Sequence, residues 1–462
     1  MNLAQALRLL TSQPFPVSVS KSNRSRAEKD GVAFVGAGGK STALFQLARQ
    51  LSPPVVVSAT THLGVWQIPL ADKHYILREK KDIQVLPNGV TLVTGGVEGD
   101  RASGLDSESI LWLHEICKDS SVPLLIEADG SRQKPFKAPA KHEPSIPNFV
   151  GTVVIVAGLS GLGKPLDEDT VHRPEIFAKL SGLQPGETIT LEGLARALAH
   201  PEGGLKNIPS GIRRVILLNQ ADAPELQAQA DFLAKGLLPV YHSAIIASLK
   251  KRNIYAVHES IAGIILAAGE AQRFGQPKQL LDWRGEPFVR RIAKTALESG
   301  LSPVIVVTGA YADQVKATVE DLPVQIAHNV EWKSGQASSI KAGLEALSGY
   351  PKISENLEKE VGGAIFLLAD QPQVTPTLLQ ALVEEHASTL APIIAPLVLD
   401  QRANPVLFDR VTFPDLMVLE GDMGGRGIFS KHKVSYLTWH DDAMLLDVDK
   451  PEHYQRLKDL LE

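Results

Sequence analysis

Short apolar runs recur along the chain, separated by segments in which apolar positions return every three or four residues. Val32–Val35, Val55–Val57, Val90–Val93, Leu124–Ile126, Val153–Val156 and Val215–Leu218 read as buried strands. Ser41–Leu51, Glu108–Cys117 and Pro224–Lys235 read as helices. Fully apolar strands alternating with helices predict a mostly parallel sheet covered on its faces. The pattern turns polar and charged over Leu249–Glu259. It then begins afresh with Ile261–Leu266, Val304–Val307, Gln325–Ala327, Ala364–Leu368 and Ile393–Ala395. This predicts two α/β domains, residues 1–257 and 258–462. Leu3, Ala6, Leu7 and Leu10 are spaced like one face of a helix, Ser18–Lys29 is polar and basic, and Lys352–Glu360 reads as a loop.

Composition narrows the class. At 462 residues the chain exceeds what one core usually organises. Apolar content of 44% and charged content of 21% are those of an ordinary globular protein. A net charge of -5 gives no support for a nucleic-acid-binding surface. Cys117 is the only cysteine, which excludes intrachain disulfides and thiolate metal sites and points to a reducing cytoplasm. No run approaches the roughly 20 apolar residues of a membrane span, and the start lacks a signal-peptide pattern. These features predict a soluble cytoplasmic protein with no membrane or nucleic-acid partner.

The densest candidate chemistry follows the strand Ile261–Leu266. Leu266, Ala267, Ala268 and Gly269 lead through Arg273, Phe274 and Gly275 to Lys278, Gln279, Leu280 and Leu281. Small residues let backbone N–H groups approach an oxyanion, and a following helix N-terminus would add positive potential. Arg273 can grip phosphate oxygens in a fork, and Lys278 can place a point charge near an α-phosphate. Asp370 follows Leu367-Leu368-Ala369, at the C-terminal end of a strand, where α/β sites are built. An aspartate capping a turn before Pro372 gives the same local pattern.

This segment resembles the LAAGxxxRxGxxK signature of the MobA-like nucleotidyltransferases, and the resemblance extends over residues 261–462. It implies a Rossmann-like nucleotidyltransferase fold of the nucleotide-diphospho-sugar transferase type. It also implies that Asp370 holds Mg²⁺ and that Asn329, Trp332 and Gly335–Ser339 form a nucleotide-side loop. Ser338 contacts nucleotide in that reading, although Ser338 and Ser339 equally suit helix N-caps. Arg402–Pro405 and Gly421–Arg426 resemble acceptor-side loops. In Asp447-Val448-Asp449-Lys450-Pro451, Asp449 is open to two readings, a second metal contact or a helix N-cap. Ala268, Phe274 and Gln279 look like the cytidylyl-transferring branch, which implies CTP over GTP and a molybdopterin-type acceptor. The chemistry would be in-line attack of an acceptor phosphate on the α-phosphorus, with catalysis by alignment and charge neutralisation at Arg273, Lys278 and Asp370.

In the first half, Ala33–Val35 runs into Gly36-Ala37-Gly38-Gly39-Lys40-Ser41-Thr42. This is a shortened P-loop in which consecutive amides can cradle phosphate, Lys40 can reach its oxygens and Ser41 can touch Mg²⁺. Leu124–Ile126 ends in Glu127 and Asp129, of which Asp129 (or Glu127) could hold Mg²⁺ through water. Asn219-Gln220-Ala221-Asp222 resembles the base-reading element of GTPases, with Gln220 in place of lysine, so Asn219 and Asp222 are candidate base contacts. The order of these elements predicts a P-loop-NTPase-like domain. Residues 25–245, with Thr60-Thr61-His62, Lys137-Ala138-Pro139, His142-Glu143-Pro144 and Val171-His172-Arg173-Pro174, are similar to the YqeC family. That family is linked to accessory steps for selenium-dependent hydroxylases, which implies a molybdenum hydroxylase apoenzyme as partner. His62, His142, His172 and Glu143 are a candidate metal cluster, against a reading as ordinary surface histidines. The combined expectation is a molybdenum cofactor cytidylyltransferase fused to a nucleotide-binding maturation domain. Its rivals are a GTP-gated insertion factor, a nucleotidyltransferase for another phosphorylated acceptor, and a carrier with vestigial sites.

Overall fold

The structure, a computed structural model, describes residues 1–9, 31–79, 83, 86–270, 276–348, 360–446, 448 and 451–459. Arg273, Phe274, Gly275, Asp447, Asp449, Lys450 and the segments 18–29 and 352–359 lie outside these residues. The chain forms two compact units that divide between His258 and Glu259.

Unit 1 contains β1 (Val32–Gly36), α1 (Lys40–Ala48), β2 (Val55–Ala59), β3 (Lys73–Ile76), β4 (Val90–Thr94), α2 (Ser107–Asp119) and β5 (Leu124–Glu127). It continues with β6 (Thr152–Gly158), α3 (Pro174–Ser181), α4 (Leu191–Ala199), β7 (Arg213–Asn219), α5 (Pro224–Leu237), β8 (Ser243–Ser248) and the start of β9 (Asn253–Ala267). The strand order is β9-β8-β7-β6-β1-β5-β2-β4-β3. From β8 to β3 every pairing is parallel. The central strands are buried along their whole length, as their unbroken Val/Ile/Leu runs require. At the N-terminus, Asn2 and Gln5 cap the helical turn Leu3–Ala6 reciprocally, and Leu3, Ala4, Ala6 and Leu7 are buried.

The polar stretch Leu249–Glu259, where the domain boundary is expected, runs into a strand. Residues 253–267 form one continuous strand, and Val257, His258 and Glu259 within it are buried. Ladder hydrogen bonds are made by the backbone, so side-chain polarity does not stop them.

Unit 2 contains the remainder of β9, then α6 (Phe288–Glu298), β10 (Val304–Thr308), α7 (Ala312–Val319), β11 (Gln325–His328), α8 (Gln336–Ser348) and β12 (Val361–Leu368). After these come α9 (Pro376–Thr389), β13 (Ile393–Val398), β14 (Gln401–Arg402), β15 (Val406–Asp409), β16 (Val434–Thr438) and α10 (Pro451–Asp459). The order is β14-β13-β15-β12-β9-β10-β11, with β16 beside β13. β12, β9, β10 and β11 are mutually parallel, and β15 is antiparallel to both β12 and β13. Alternate residues of β9 feed two cores. Ile261, Ile265 and Ala267 pack with residues of α6 and α9, whereas Ala262 and Ile264 pack with residues of α8. No helix among the described residues is long and apolar enough to cross a membrane. Burial pushes the Cys117 thiol up to about 12, so it is a core residue rather than a nucleophile.

Candidate functional site

In unit 1 the parallel strands β2, β5, β1, β6 and β7 deliver the segments that follow them to one sheet edge. Between β1 and α1 the chain turns through Ala37, Gly38 and Gly39. Gly38 and Gly39 have φ of +82° and +127°. A Cβ on Gly38 would lie 2.3 Å from Gly158 Cα, and one on Gly39 would lie 2.3 Å from Asn219 Nδ2. Both backbone conformation and packing therefore demand glycine here.

The turn's amides differ from a fully open cradle. Gly36 N donates to Asp129 Oδ2 at 3.0 Å, Ala37 N to Val156 O at 2.8 Å and Gly38 N to Lys134 O at 3.0 Å. One strand carbonyl, Val156 O, and two groups of the segment after β5, the Asp129 carboxylate and Lys134 O, thus take up these donors. Gly39 at the N-cap of α1 has no side chain to cap it, and the first-turn amides of Lys40, Ser41 and Thr42 point along the helix axis toward this turn.

Lys40 is buried. Its Nζ donates to Gly36 O at 2.8 Å and lies 3.2 Å from Asp129 Oδ1 and 3.8 Å from Glu127 Oε1. Ser41 Oγ donates to Glu127 Oε2 at 3.0 Å. Burial raises the Glu127 carboxyl above the usual carboxylate range, with Lys40 and Ser41 opposing the shift. Sequence reading placed Asp129 ahead of Glu127 as the metal-holding acid, whereas the geometry sets Glu127 against Ser41. Asp129 instead joins a buried ionic chain. Its Oδ2 is 2.8 Å from Lys137 Nζ, which also donates to Gly130 O at 2.7 Å and Glu143 Oε2 at 2.8 Å. Arg173 closes the chain with two bonds to Glu143, at 2.8 and 3.0 Å.

Asn219 Nδ2 donates to Gly38 O at 2.7 Å, and its Oδ1 accepts from Leu249 N at 3.0 Å. The Asp222 carboxylate accepts from Ser248 Oγ, and Asp222 O accepts from Lys251 Nζ at 2.8 Å. Asn219 and Asp222 thus meet the segment after β8. Sequence reading gave that segment no role, because β8 is short and runs into a polar stretch. His62 and His142 are exposed, and Glu143 is taken by cations. Burial and the Arg173, Lys137 and Arg132 charges push His172 down to about 4. Among the described residues no three His, Cys, Asp or Glu side chains gather to hold a metal.

In unit 2, Leu266–Gly269 leave β9 and Ala369–Asp370 leave the adjacent β12, so both line one cleft of about 820 Å³. Lys278 Nζ lies 3.8 Å from Asp370 Oδ2 across it. Among the described residues that follow this loop, Lys278–Leu280 is a 3₁₀ turn and the next α-helix, α6, begins at Phe288. Among the described residues, Lys278 supplies a side-chain cation on this side of the cleft. Buried Gln279 donates through Nε2 to Gly269 O at 3.2 Å and sits 3.5 Å from Ala267 O, which fixes the small-residue loop.

The opposite wall carries Trp332, Lys333, Gly335, Gln336, Ser339 and Asp422. Ser338 turns away into its own loop, bonded to Asn329 Nδ2, Glu331 O and Gly335 O, and Ser339 takes the lining position. A Cβ on Gly335 would meet the Gly421 backbone at 2.4 Å, and Ala337 N donates to Gly421 O. The Gly421–Arg426 loop is thereby pinned to the start of α8, while Arg402 lies exposed over the Phe429 ring at 5.6 Å.

Residues 32–175 match the family "YqeC protein", and residues 263–435 match the family "MobA-like NTP transferase domain". The chain is 34% identical over 199 residues to "Uncharacterized protein YqeC" of Escherichia coli (strain K12), covering 41% of this chain and 75% of that protein. It is 31% identical over 208 residues to "Nicotine blue oxidoreductase" of Paenarthrobacter nicotinovorans, covering 43% of this chain and 96% of that protein. A Bacillus cereus (strain Q1) protein named "Probable molybdenum cofactor guanylyltransferase" is 26% identical over 211 residues, with 43% of this chain and 96% of that protein covered. The chain belongs to the YqeC family through its first unit and to the MobA-like nucleotidyltransferases through its second.

Proposed function

We propose that unit 2 transfers CMP from Mg²⁺-CTP to a phosphate of a molybdopterin-type cofactor, with release of pyrophosphate. The observation that carries this reading is the meeting of Lys278 and Asp370, at 3.8 Å, where neighbouring parallel strands end beneath the Leu266–Gly269 backbone. Asp370 is a partly exposed carboxylate facing open cleft, which suits Mg²⁺, an ion that takes few protein ligands and keeps substrate phosphates and water. Bound there, the ion supplies charge neutralisation to the triphosphate. Lys278 orients the α-phosphoryl group and opposes the negative charge that grows on it. The Ala268 and Gly269 backbone admits phosphate close to the sheet edge, and Arg273 adds a bidentate grip. A nucleophile that is already anionic needs no general base, so alignment and charge do most of the work. The molybdopterin assignment is supported by the Bacillus cereus relative's name, which specifies guanylyl transfer, and CTP over GTP rests on the resemblance of Ala268, Phe274 and Gln279 to the cytidylyl-transferring branch.

For unit 1 the same reasoning supports a nucleotide site. The α1 amides and Lys40 hold phosphate, Ser41 and Glu127 hold Mg²⁺, and Asn219 and Asp222 read a guanine base. Residues 1–257 would then be a nucleotide-dependent maturation domain that serves a molybdenum hydroxylase apoenzyme, with residues 258–462 as the transferase.

The test is pyrophosphate release by the purified chain with Mg²⁺, molybdopterin and each of the four nucleoside triphosphates separately. Acceptor-dependent release with CTP alone supports the proposal. Release with GTP alone keeps the chemistry and refutes the base assignment. Phosphate release without acceptor moves the function to unit 1.

A further inference from the structure

Lys278 and Asp370 meet at 3.8 Å, yet the chain holds the two by different means. Asp370 stands just past β12, whose pairing with β9 ties it to the sheet. Lys278 lies outside the sheet on its 3₁₀ turn, which Gln279 fixes on one side. On the other side the turn rests on the chain that follows β16. Leu281 N donates to Lys278 O at 3.0 Å, and the Leu281 side chain shares an apolar cluster with Trp283, Phe288, Val448 and Leu457. Val448 is fully buried there, Leu446 packs against the same cluster, and Tyr454 Oη donates to Asp282 O at 2.6 Å.

The same stretch is also fastened to the Asp370 loop. Gln373, buried three residues beyond Asp370, donates through Nε2 to Leu446 O at 2.8 Å and to Ala443 O at 3.2 Å. Met444 is buried in one core with Val374 and Leu378. Leu446 therefore carries both attachments, its side chain on the lysine side and its carbonyl on the aspartate side. Both partners of the Gln373 amide are carbonyl oxygens, so the nitrogen must face them. Its Oε1 is buried with no partner among the described residues, which costs stability. An apolar side chain of the same length would fill this position at least as well. What the amide adds is the pair of bonds to the chain after β16.

Resting on the reading of unit 2 as a transferase, we infer that Gln373 is a positioning residue for the transfer. By tying residues 443–446 to the Asp370 loop, it holds the Lys278 turn where lysine and carboxylate act on one phosphoryl group. A misplacement of about 1 Å at such a contact costs on the order of 10²-fold in rate.

The experiment is steady-state and single-turnover pyrophosphate release by the full chain with Mg²⁺, molybdopterin and the nucleoside triphosphate that the parent accepts. A melting curve accompanies each variant. Gln373→Met keeps length and burial while removing both donors. It is expected to lower kcat at least tenfold, to change KM for the nucleotide by less than about threefold, and to leave the melting midpoint near the parent's. In a Lys278→Ala background the same substitution is expected to change the single-turnover rate by less than about threefold, because the group it positions is gone. A glutamine that only stabilises the fold lowers both backgrounds by the same factor, and that result overturns the inference. So does a smaller fall in kcat, or a rise in KM at constant kcat. Val448→Ala loosens the attachment from the lysine side and should show the same dependence on Lys278, which keeps the inference testable if Gln373→Met does not fold. If the parent releases no pyrophosphate with any nucleotide, the transferase reading falls, and the inference with it. In the other refuting outcomes the parent's activity persists.

Discussion

Replacing Lys278 with alanine separates the chemistry of unit 2 from its fold. The Lys278 ammonium lies 3.8 Å from Asp370 Oδ2, with side-chain exposures of 16% and 35%. Two unit charges at that distance attract by about 4 kcal/mol at an effective dielectric of about 20. Water at a partly exposed site, and the cost of ordering two side chains, cut the net value to about 0–1 kcal/mol. Thermal stability should therefore hardly move. Catalysis responds differently, because the lysine meets charge that grows on the α-phosphoryl group in the transition state. Losing one such contact costs about 2.7–4 kcal/mol, or a 10²–10³-fold fall in kcat. The assay is pyrophosphate release under saturating CTP and acceptor, with a melting curve for each variant. Lys278→Met, which keeps the stem without the charge, should fall as far as alanine. A folded Lys278→Ala protein with kcat within about threefold of the parent would refute the placement of the site. A rise in KM at constant kcat would show a lysine that merely binds substrate.

Three further outcomes follow from unit 1. Gly38→Ala puts a methyl group 2.3 Å from Gly158 Cα at φ of +82°. It should destabilise the unit by about 2–5 kcal/mol in denaturant titration, and an unchanged midpoint would contradict the close turn. Asn219→Ala leaves Gly38 O and Leu249 N without their side-chain partner. A loss of about 1–3 kcal/mol is expected by the same measurement. For Glu143, burial acts to raise the carboxyl, but hydrogen bonds from Arg173 and Lys137 outweigh it and hold the group at about 2. A lowered folded-state value gives stability that is complete above the unfolded value, about 4.3, and is lost as pH falls through about 2. Melting curves across that window should show this decline in the parent and a flatter profile in Glu143→Gln.

Much of the architecture was legible because each buried parallel strand is a short apolar run. Val153–Val156 and Val215–Leu218 lie within β6 and β7, and Val32–Val35 within β1. β8 was not legible, since Ser243-Ala244-Ile245-Ile246-Ala247-Ser248 is small-residue-rich and runs straight into a polar turn. Nor was the continuity of β9. Its polar first half is held by backbone pairing, which leaves no trace in hydropathy.

Local order along the chain was enough to nominate Lys40, Ser41, Asn219 and Asp370, because each sits at or just beyond the end of an apolar strand, where a parallel sheet exposes its C-terminal edge, and Lys278 by its fixed spacing from the Leu266–Gly269 loop. Tertiary structure alone decided which groups meet. Glu127 is the last residue of β5, whereas Asp129 lies beyond it in the loop, outside the two-residue alternation that would fix its direction. Only the folded chain turns Glu127 to Ser41 and Asp129 to Gly36 and Lys40. Ser339 rather than Ser338 lines the cleft for a similar reason, as the Glu331 and Gly335 carbonyls take the Ser338 hydroxyl, while Asn329 Nδ2 donates to both serines. Sequence determined where the strands end and what chemistry stands there. The assignment of each side chain to its partner depended on contacts between residues far apart in the chain, such as Asn219 with Gly38 and Lys278 with Asp370, which no local pattern encodes.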